Sequence, residues 1–413
     1  MKRDPCPDAR SAYVPCDMLR DAALPAAAAL LDEEASSMLS TAVAAMGGEL
    51  LEHRPYQTSY RPGKRLAVHY DCRVGLVGGE VTRWTLVAVA ASAEPPPGAL
   101  VLEQGSARVA LWRFPYDPFL PGLASVVDPI RVRELLDDFA AAPGDPTLTV
   151  RSYRAGRRAV VEARVAEQRL FLKVVRPSAA ANLHRLHTTF SKSLPVPPSL
   201  GWSDLGIIAL GALPGRTLSQ QLEQLEAPLP SADAILDLCD RISAVALDSS
   251  RTASVHDAVA HHVRTLSALR PELEERLVRL AEAICAVSSE QLVTVHGDLH
   301  PGQLLTNDAV TGLLDLDRVA RGSTADDYAM LLGHLRVHTT LLERPMRGRA
   351  ERFTAQVRAA CLERAEPADL TLREAAVILG LATAPFRVLQ PGWQAATDER
   401  VALSEALASK AIC

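Results

Sequence analysis

Val293-Thr-Val-His296-Gly-Asp298-Leu-His300-Pro-Gly-Gln303-Leu-Leu305, continued by Gly312-Leu-Leu-Asp315-Leu-Asp317-Arg318 and by Gly322-Ser-Thr-Ala-Asp-Asp327, decides the fold of this chain. An apolar strand runs into His-Gly-Asp, a loop with proline and glycine follows, and Gln303 stands just beyond Asp298. A second short apolar strand then delivers Asp315, about a dozen residues after Gln303. One acid sits on a loop, an amide oxygen lies near it, and a second acid closes the next strand. Such a set can hold Mg2+ on a nucleoside triphosphate while a separate carboxylate orients an attacking hydroxyl. The competing reading is a loop whose acids cap helices and pair with Arg318 or Arg321. The number of polar residues at useful positions argues against it.

Working outward, the flanks differ in character. From residue 216 the chain carries apolar residues at three- and four-residue spacing, which predicts helices over 217–226, 231–247, 255–268, 272–288, 325–341, 346–363, 369–384 and 395–411. On the N-terminal side, 148–175 is β-rich and ends in Leu170-Phe-Leu-Lys173-Val-Val, followed by a predicted helix over 178–192. A lysine mid-strand among apolar neighbours must find a partner or point to solvent. Further upstream, 66–76 and 81–90 predict a hairpin around Gly78-Gly79, 101–114 a second hairpin, and 21–48 a helix. Tyr60-Arg-Pro-Gly-Lys-Arg-Leu-Ala-Val68 resembles Tyr153-Arg-Ala-Gly-Arg-Arg-Ala-Val-Val161, a weak internal repeat whose first copy has no lysine in its later strand.

At about 150 residues per domain, 413 residues suggest two or three domains. The 48% hydrophobic and 23% charged content excludes a disordered chain, a collagen-like fibre and a small disulfide scaffold. With 44 basic and 49 acidic residues there is no basic excess for nucleic acid, and 4% aromatics exclude stacking platforms for single strands. Seven cysteines, none in a C-x-x-C pair, are expected as free thiols in a reducing cytoplasm, with a Cys6–Cys16 bridge as the alternative. The apolar run Ala22–Leu31 is too short to span a bilayer, so neither a signal peptide nor a membrane segment is expected, and the localisation expected is cytoplasmic.

The order H-G-D-x-H-x-G-Q, then an apolar pair with Asp, then a glycine leading to Asp327, resembles the aminoglycoside phosphotransferase and choline kinase superfamily. The resemblance covers about 150–400 and is specific around 293–329. It implies an α+β, bilobal protein-kinase-like fold, here with an extra N-terminal α/β cap domain. The expected domains are 1–145, a cap read as a degenerate copy of the lobe that follows; 146–213, a β-rich nucleotide-binding lobe; and 214–413, a helical catalytic lobe. It implies ATP and Mg2+ as cofactors and a small hydroxylated molecule as partner. On the same match Asp298 is the catalytic base, Gln303 and Asp315 hold magnesium, His296 braces the loop and Asp327 anchors it. Lys173 is expected on the α- and β-phosphates, Gly156 and Arg157 in the phosphate-covering turn Arg154–Arg158, and the backbone of Ala209 and Ala212 at the adenine. Gln303 replaces the commoner Asn, which, with the extra N-terminal domain, is similar to bacterial maltokinases and related sugar kinases.

The family usually pairs this lysine with a Glu on the following helix, but 178–190 contains no acid. Asn182 or His187 is the expected substitute, or the acid comes from elsewhere. The alternative is a nucleotide-binding pseudokinase or partner-binding module, and a carboxylate within hydrogen-bond distance of Lys173 would favour the enzyme. His300, Asp317 and Trp393 are further candidates for contact with substrate or for support of the site. His334 and His338, four apart, have metal-compatible spacing but no evident third ligand. The favoured acceptor is a sugar or amino sugar, and the alternative is an aminoglycoside or other antibiotic. An aminoglycoside would call for an acidic cleft, to which Glu343, Glu363, Glu366 and Asp369 are the available contributors.

Overall fold

The computed structural model describes residues 19, 21–104, 107–139, 144–247, 250–285 and 292–412. It contains two compact units: Met1–Phe119 with Arg264–Glu274 and Thr383–Thr397, and Leu120–Val263 with Glu275–Ala382 and Asp398–Cys413.

In the first unit, the predicted 21–48 helix is shorter: a 3-10 turn at Ala28–Leu30 and α1 (Glu34–Ala45). Gly47 at positive φ ends the helical segment. Strands β1 (Gly48–Arg61), β2 (Arg65–Leu76), β3 (Val81–Ala91), β4 (Leu100–Gln104) and β5 (Ala107–Arg113) form an antiparallel sheet ordered β1-β2-β3-β5-β4. Strand β1 has no clear signature in the sequence pattern. Its mixed polar composition and Pro55 fit an edge strand, where one backbone row needs no partner. Leu39, Val43, Leu66, Tyr70, Leu86 and Leu111 make the core, joined by Leu269, Phe386 and Trp393 from the distant segments. The β1–β2 turn is held by Asp21, whose Oδ2 accepts the Gly63 N–H at 2.7 Å and the Tyr60 hydroxyl at 2.9 Å.

The second unit opens with α2 (Leu123–Val126) and α3 (Pro129–Asp138), the latter capped by Asp128. Its sheet has β6 (Thr147–Arg154), β7 (Arg158–Val165), β8 (Gln168–Val175), β9 (Ser199–Trp202) and β10 (Ile207–Gly211), antiparallel in the order β6-β7-β8-β10-β9. That is the strand order of the first sheet. The two related sequence stretches each span the first hairpin turn, with Gly63 at φ 69 and Gly156 at φ 67. Lys173 faces Val160 across the β7–β8 pair; the corresponding place in the first sheet, opposite Ala67, is Val89. Between β8 and β9 lies α4 (Pro177–Phe190).

Beyond the sheet the chain is mainly helical, as the periodicity predicts: α5 (Leu218–Leu222), α6 (Ala232–Ser243), α7 (Val259–Leu269), α8 (Glu274–Ile284), α9 (Thr324–Leu341), α10 (Met346–Leu362), α11 (Pro367–Leu381), α12 (Ala384–Arg387) and α13 (Trp393–Ile412). Two small sheets carry the functional loops. One joins β11 (Arg216–Thr217), β13 (Leu304–Thr306) and β14 (Val310–Leu313); the other pairs β12 (Val293–Val295) with β15 (Ala320–Gly322). Buried Glu374 on α11 takes Arg336 at 2.7 Å and also Arg358, locking α9, α10 and α11 together. A five-stranded antiparallel lobe followed by a helical lobe is a bilobal, protein-kinase-like α+β arrangement. No helix among the described residues is long and apolar enough to cross a membrane. Cys72, Cys239, Cys285 and Cys361 are free thiols, while Cys6, Cys16 and Cys413 lie outside the described residues.

Candidate active site

The loop between β12 and β13 carries Asp298, and Asp327 in the first turn of α9 holds that loop from below. Asp327 accepts the backbone N–H groups of His296 at 2.7 Å and Gly297 at 2.9 Å. Burial pushes the Asp327 carboxyl up, against the lowering pull of His296 and the two N–H groups. Gly297 has φ 73, and a Cβ there would meet the Arg318 carbonyl oxygen at 2.6 Å, so only glycine fits without a shift. The buried His296 ring places Nε2 2.9 Å from the Leu314 carbonyl, tying the loop to the residue before Asp315. Asp298 itself is one-quarter exposed, with Arg318 at 3.9 Å as its ion-pair partner. Among the described residues its carboxylate accepts no hydrogen bond.

Facing this loop is a four-residue charge cluster. Lys173 Nζ donates to Asp315 Oδ1 at 2.8 Å and to Asp317 Oδ1 at 2.5 Å. Arg158 Nη1 lies 2.7 Å from Asp315 Oδ2 and 2.6 Å from Asp317 Oδ2. The backbone from Asp315 to Asp317 is not extended. Asp315 adopts a left-handed conformation, φ 62 and ψ 73, and opens a 3-10 turn at Leu316–Arg318. That turn brings both carboxylates to the same two cations; Asp tolerates this region better than most residues. Burial would raise the Asp315 carboxyl, but Lys173 and Arg158 beside it hold it well below the usual carboxylate range. Arg251 donates to the Asp317 carbonyl at 2.9 Å and steadies the turn.

Gln303 and His300 complete the neighbourhood. Gln303 Nε2 lies 3.5 Å from Asp315 Oδ2 and 3.1 Å from His300 Nε2. His300 accepts the Gly302 N–H at Nδ1 and stacks on His334, ring centroids 4.7 Å apart. The donor set suits magnesium: a carboxylate of Asp315 and an amide oxygen of Gln303 are hard oxygen ligands. Rotating the Gln303 amide would turn its oxygen, rather than its nitrogen, toward Asp315.

The remaining candidates distribute unevenly. Gly156 is buried, and its carbonyl accepts from Arg176 Nε at 3.1 Å; Arg157 beside it is exposed. Ala209 is buried in β10, paired with both Leu172 and Gly201. The Ala212 N–H is taken by the Arg169 carbonyl at 3.2 Å, so any contact of its backbone with a base would fall to its carbonyl. Trp393 is not at the site: it is 2% exposed in the core of the first unit, edge-on to Phe386 at 5.1 Å. Asn182 is turned to Arg185 at 2.7 Å on the exposed side of α4 and does not serve Lys173. His338 approaches Glu223 at 3.9 Å and His334 stacks on His300, so their spacing serves packing beside the loop. Of the acids considered for a cationic acceptor, Glu366 caps its own helix and Asp369 is bound to Arg373 at 2.8 Å. Arg158, expected only as part of the phosphate-covering turn, is paired instead with Asp315 and Asp317. Its signal is register: Arg158 stands two residues before Val160, which faces Lys173, so the two cations share a sheet face.

A β-lobe lysine, two acids on a turn, a hard-oxygen amide and a braced loop aspartate define a kinase-like phosphotransferase. The comparison with known families agrees. The chain belongs to the phosphotransferase enzyme family, whose description matches residues 149–367. It is a small-molecule kinase acting on hydroxyl groups with ATP and Mg2+. Among solved structures it is similar to an apo thermostable mutant of aminoglycoside phosphotransferase APH(4)-Ia, at 16% identity and TM-score 0.48, covering 67% of this chain and 97% of that one. It is also similar to an aminoglycoside-3'-phosphotransferase of type VIII, at 22% identity and TM-score 0.42, covering 60% and 97%. A third is macrolide 2'-phosphotransferase MphH from Brachybacterium faecium, at 18% identity and TM-score 0.40, covering 67% and 98%. No curated protein matches the sequence.

Proposed function

We infer that this protein transfers the γ-phosphate of ATP to a hydroxyl of a sugar or amino sugar, with Asp298 as the base. The observation that carries the reading is the state of Asp298: a carboxylate without a hydrogen bond among the described residues, on a loop that Asp327 and His296 brace. Such a group can accept the acceptor's O–H, aim its oxygen at phosphorus and hold the proton as ADP leaves. Lys173 would contact the α- and β-phosphates, and Asp315 and Gln303 would hold magnesium, with Gly156 and Arg157 covering the phosphates. Magnesium, when bound, neutralises charge developing on the phosphate oxygens. Two of the four acids available to a cationic acceptor, Glu366 and Asp369, are engaged within the helical lobe, which supports an acceptor with little positive charge. The shared strand order of the two sheets supports 1–145 as a degenerate copy of the 146–213 lobe.

The test is γ-phosphate transfer from Mg-ATP to a panel of sugars, amino sugars, aminoglycosides and macrolides, with Asp298→Ala alongside. Transfer to a sugar or amino sugar, reduced about 100-fold or more in the variant, is expected. Transfer confined to aminoglycosides or macrolides overturns the acceptor assignment. Undiminished transfer by Asp298→Ala overturns the role of the base.

A further inference from the structure

Lysines that hold nucleotide phosphates need a second anchor, because a flexible four-carbon stem does not stay in place alone. Lys173 has no acid on α4 to serve it, as 177–190 contains neither Asp nor Glu. Its ammonium has three donors; two are directed at Asp315 and Asp317. Once Asp315 is committed to magnesium, Asp317 is the carboxylate left to Lys173. The α4 side of the lysine is occupied by His187, which is 1% exposed. Its Nδ1 donates to the Pro197 carbonyl at 2.8 Å, which leaves Nε2 as an acceptor, and that buried Nε2 has no hydrogen-bond partner. Burial lowers the ring's pKa to about 4, partly opposed by the Pro197 carbonyl, with the Lys173 charge lowering it further, so the imidazole is neutral. Helix α4 packs on both β8 and the Leu316–Arg318 turn.

We propose that Asp317, reaching Lys173 from the turn after the metal-binding acid, is the positioning residue that fixes the lysine, and that the His187 place on α4 is its helix-side equivalent. The lysine's orientation is therefore set by the catalytic lobe and not by a movable helix. A shift of α4 leaves the Asp317–Lys173 pair intact, so the site assembles without a helix-borne switch. This rests on Lys173 contacting phosphate, as proposed above.

The experiment measures ATP binding by calorimetry and steady-state kinetics at several magnesium concentrations for Asp317→Asn, Lys173→Met, His187→Glu and the double variant Asp317→Asn/His187→Glu. Asp317→Asn should raise the Kd and KM for ATP about tenfold or more, the worth of one charge-assisted hydrogen bond, with a smaller effect on kcat. His187→Glu in the same chain should recover much of that loss, which a merely structural role would not allow. Unchanged ATP affinity in Asp317→Asn overturns the proposal, as does a loss that added magnesium reverses and His187→Glu does not; the latter makes Asp317 a metal ligand. If Lys173→Met binds ATP as the wild type does, the phosphate role of Lys173 falls and the proposal with it. If Lys173→Met loses binding and Asp317→Asn does not, only the proposal falls. Asp317→Ser is the second variant should the Asn chain melt at the assay temperature.

Discussion

Arg158 Nη1 lies 2.7 Å from an Asp315 carboxylate oxygen, a contact between the tip of the first hairpin of the nucleotide lobe and the acid that would hold magnesium. The guanidinium occupies the side of Asp315 Oδ2 toward which Gln303 also points. A magnesium ion held by Asp315, as proposed, would have to compete with this protein cation for one carboxylate.

Replacing Arg158 by Gln should therefore lower the magnesium concentration needed for half-maximal activity. Without nucleotide the same variant loses charge-assisted hydrogen bonds of about 1.5–3 kcal/mol, and its melting temperature should fall by a few degrees. Magnesium titration and thermal melting check the two halves separately. An unchanged magnesium requirement would show that the arginine does not compete.

Gly297→Ala should cost both stability and turnover. The left-handed backbone alone disfavours a side chain by about 1–2 kcal/mol, and the added methyl meets a backbone oxygen, which cannot rotate away. The loop must shift to relieve the contact, and Asp298 shifts with it. We expect kcat to fall more than KM for ATP, since the proposed phosphate contact of Lys173 lies on the other lobe; steady-state kinetics read this directly.

Arg373 is 1% exposed and bridges Asp326 at 2.5 Å to Asp369 at 2.8 Å. Arg373→Met strands both acids, so denaturant melts should show a loss of about 3–5 kcal/mol. Asp326→Asn in the same chain should recover part of it. Asp326 adjoins Asp327, so the destabilised chain should also lose activity below its global melting temperature.

Glu162 predicts a pH effect. Burial raises this carboxyl, but hydrogen bonds from Arg169, Arg151 and Arg164 outweigh that and hold it at about 2, against an ordinary value of 4.5. The folded value is the lower one, so the folded state binds its proton less readily than the unfolded chain. The stabilisation is complete above about pH 4.5 and is lost as pH falls from there toward about 2. Melting temperatures from pH 6 down to about 2.5 should drop less steeply for Glu162→Gln than for the wild type, with the two curves converging at the acid end.

How much of this was legible in the sequence follows from the range of each signal. His296 to Asp327 is a contiguous pattern, so spacing offers the loop acid Asp298 and the second acid Asp315 as candidates, while the supporting roles of His296 and Asp327 follow from the family resemblance. Helices α6 and α9 to α11 announce themselves by period. Arg158 could be placed in the phosphate-covering turn, but not its pairing with Asp315 and Asp317, because those partners are 157 and 159 residues away and nothing local distinguishes it from a solvated hairpin tip. β1 was missed because an edge strand needs neither strict alternation nor β-branched residues. Trp393 and the 264–274 segment show the limit of periodicity: it reveals that a helix has an apolar face and not which core that face enters. Asp317 was visible as a candidate, but its partner depends on the 3-10 turn that the left-handed Asp315 starts.

Asp21 brings its own carboxylate to the Gly63 amide, the position in the first sheet that corresponds to Gly156 in the second. An internal anion saturates that turn, and Val89 stands where the neutralising ammonium would be. If the first sheet is a degenerate copy of the second, as proposed, these two features would keep it from taking nucleotide. Despite two sheets of one strand order, calorimetric titration should count a single ATP per chain, and the tally should stay at one when Asp21 is changed to Asn.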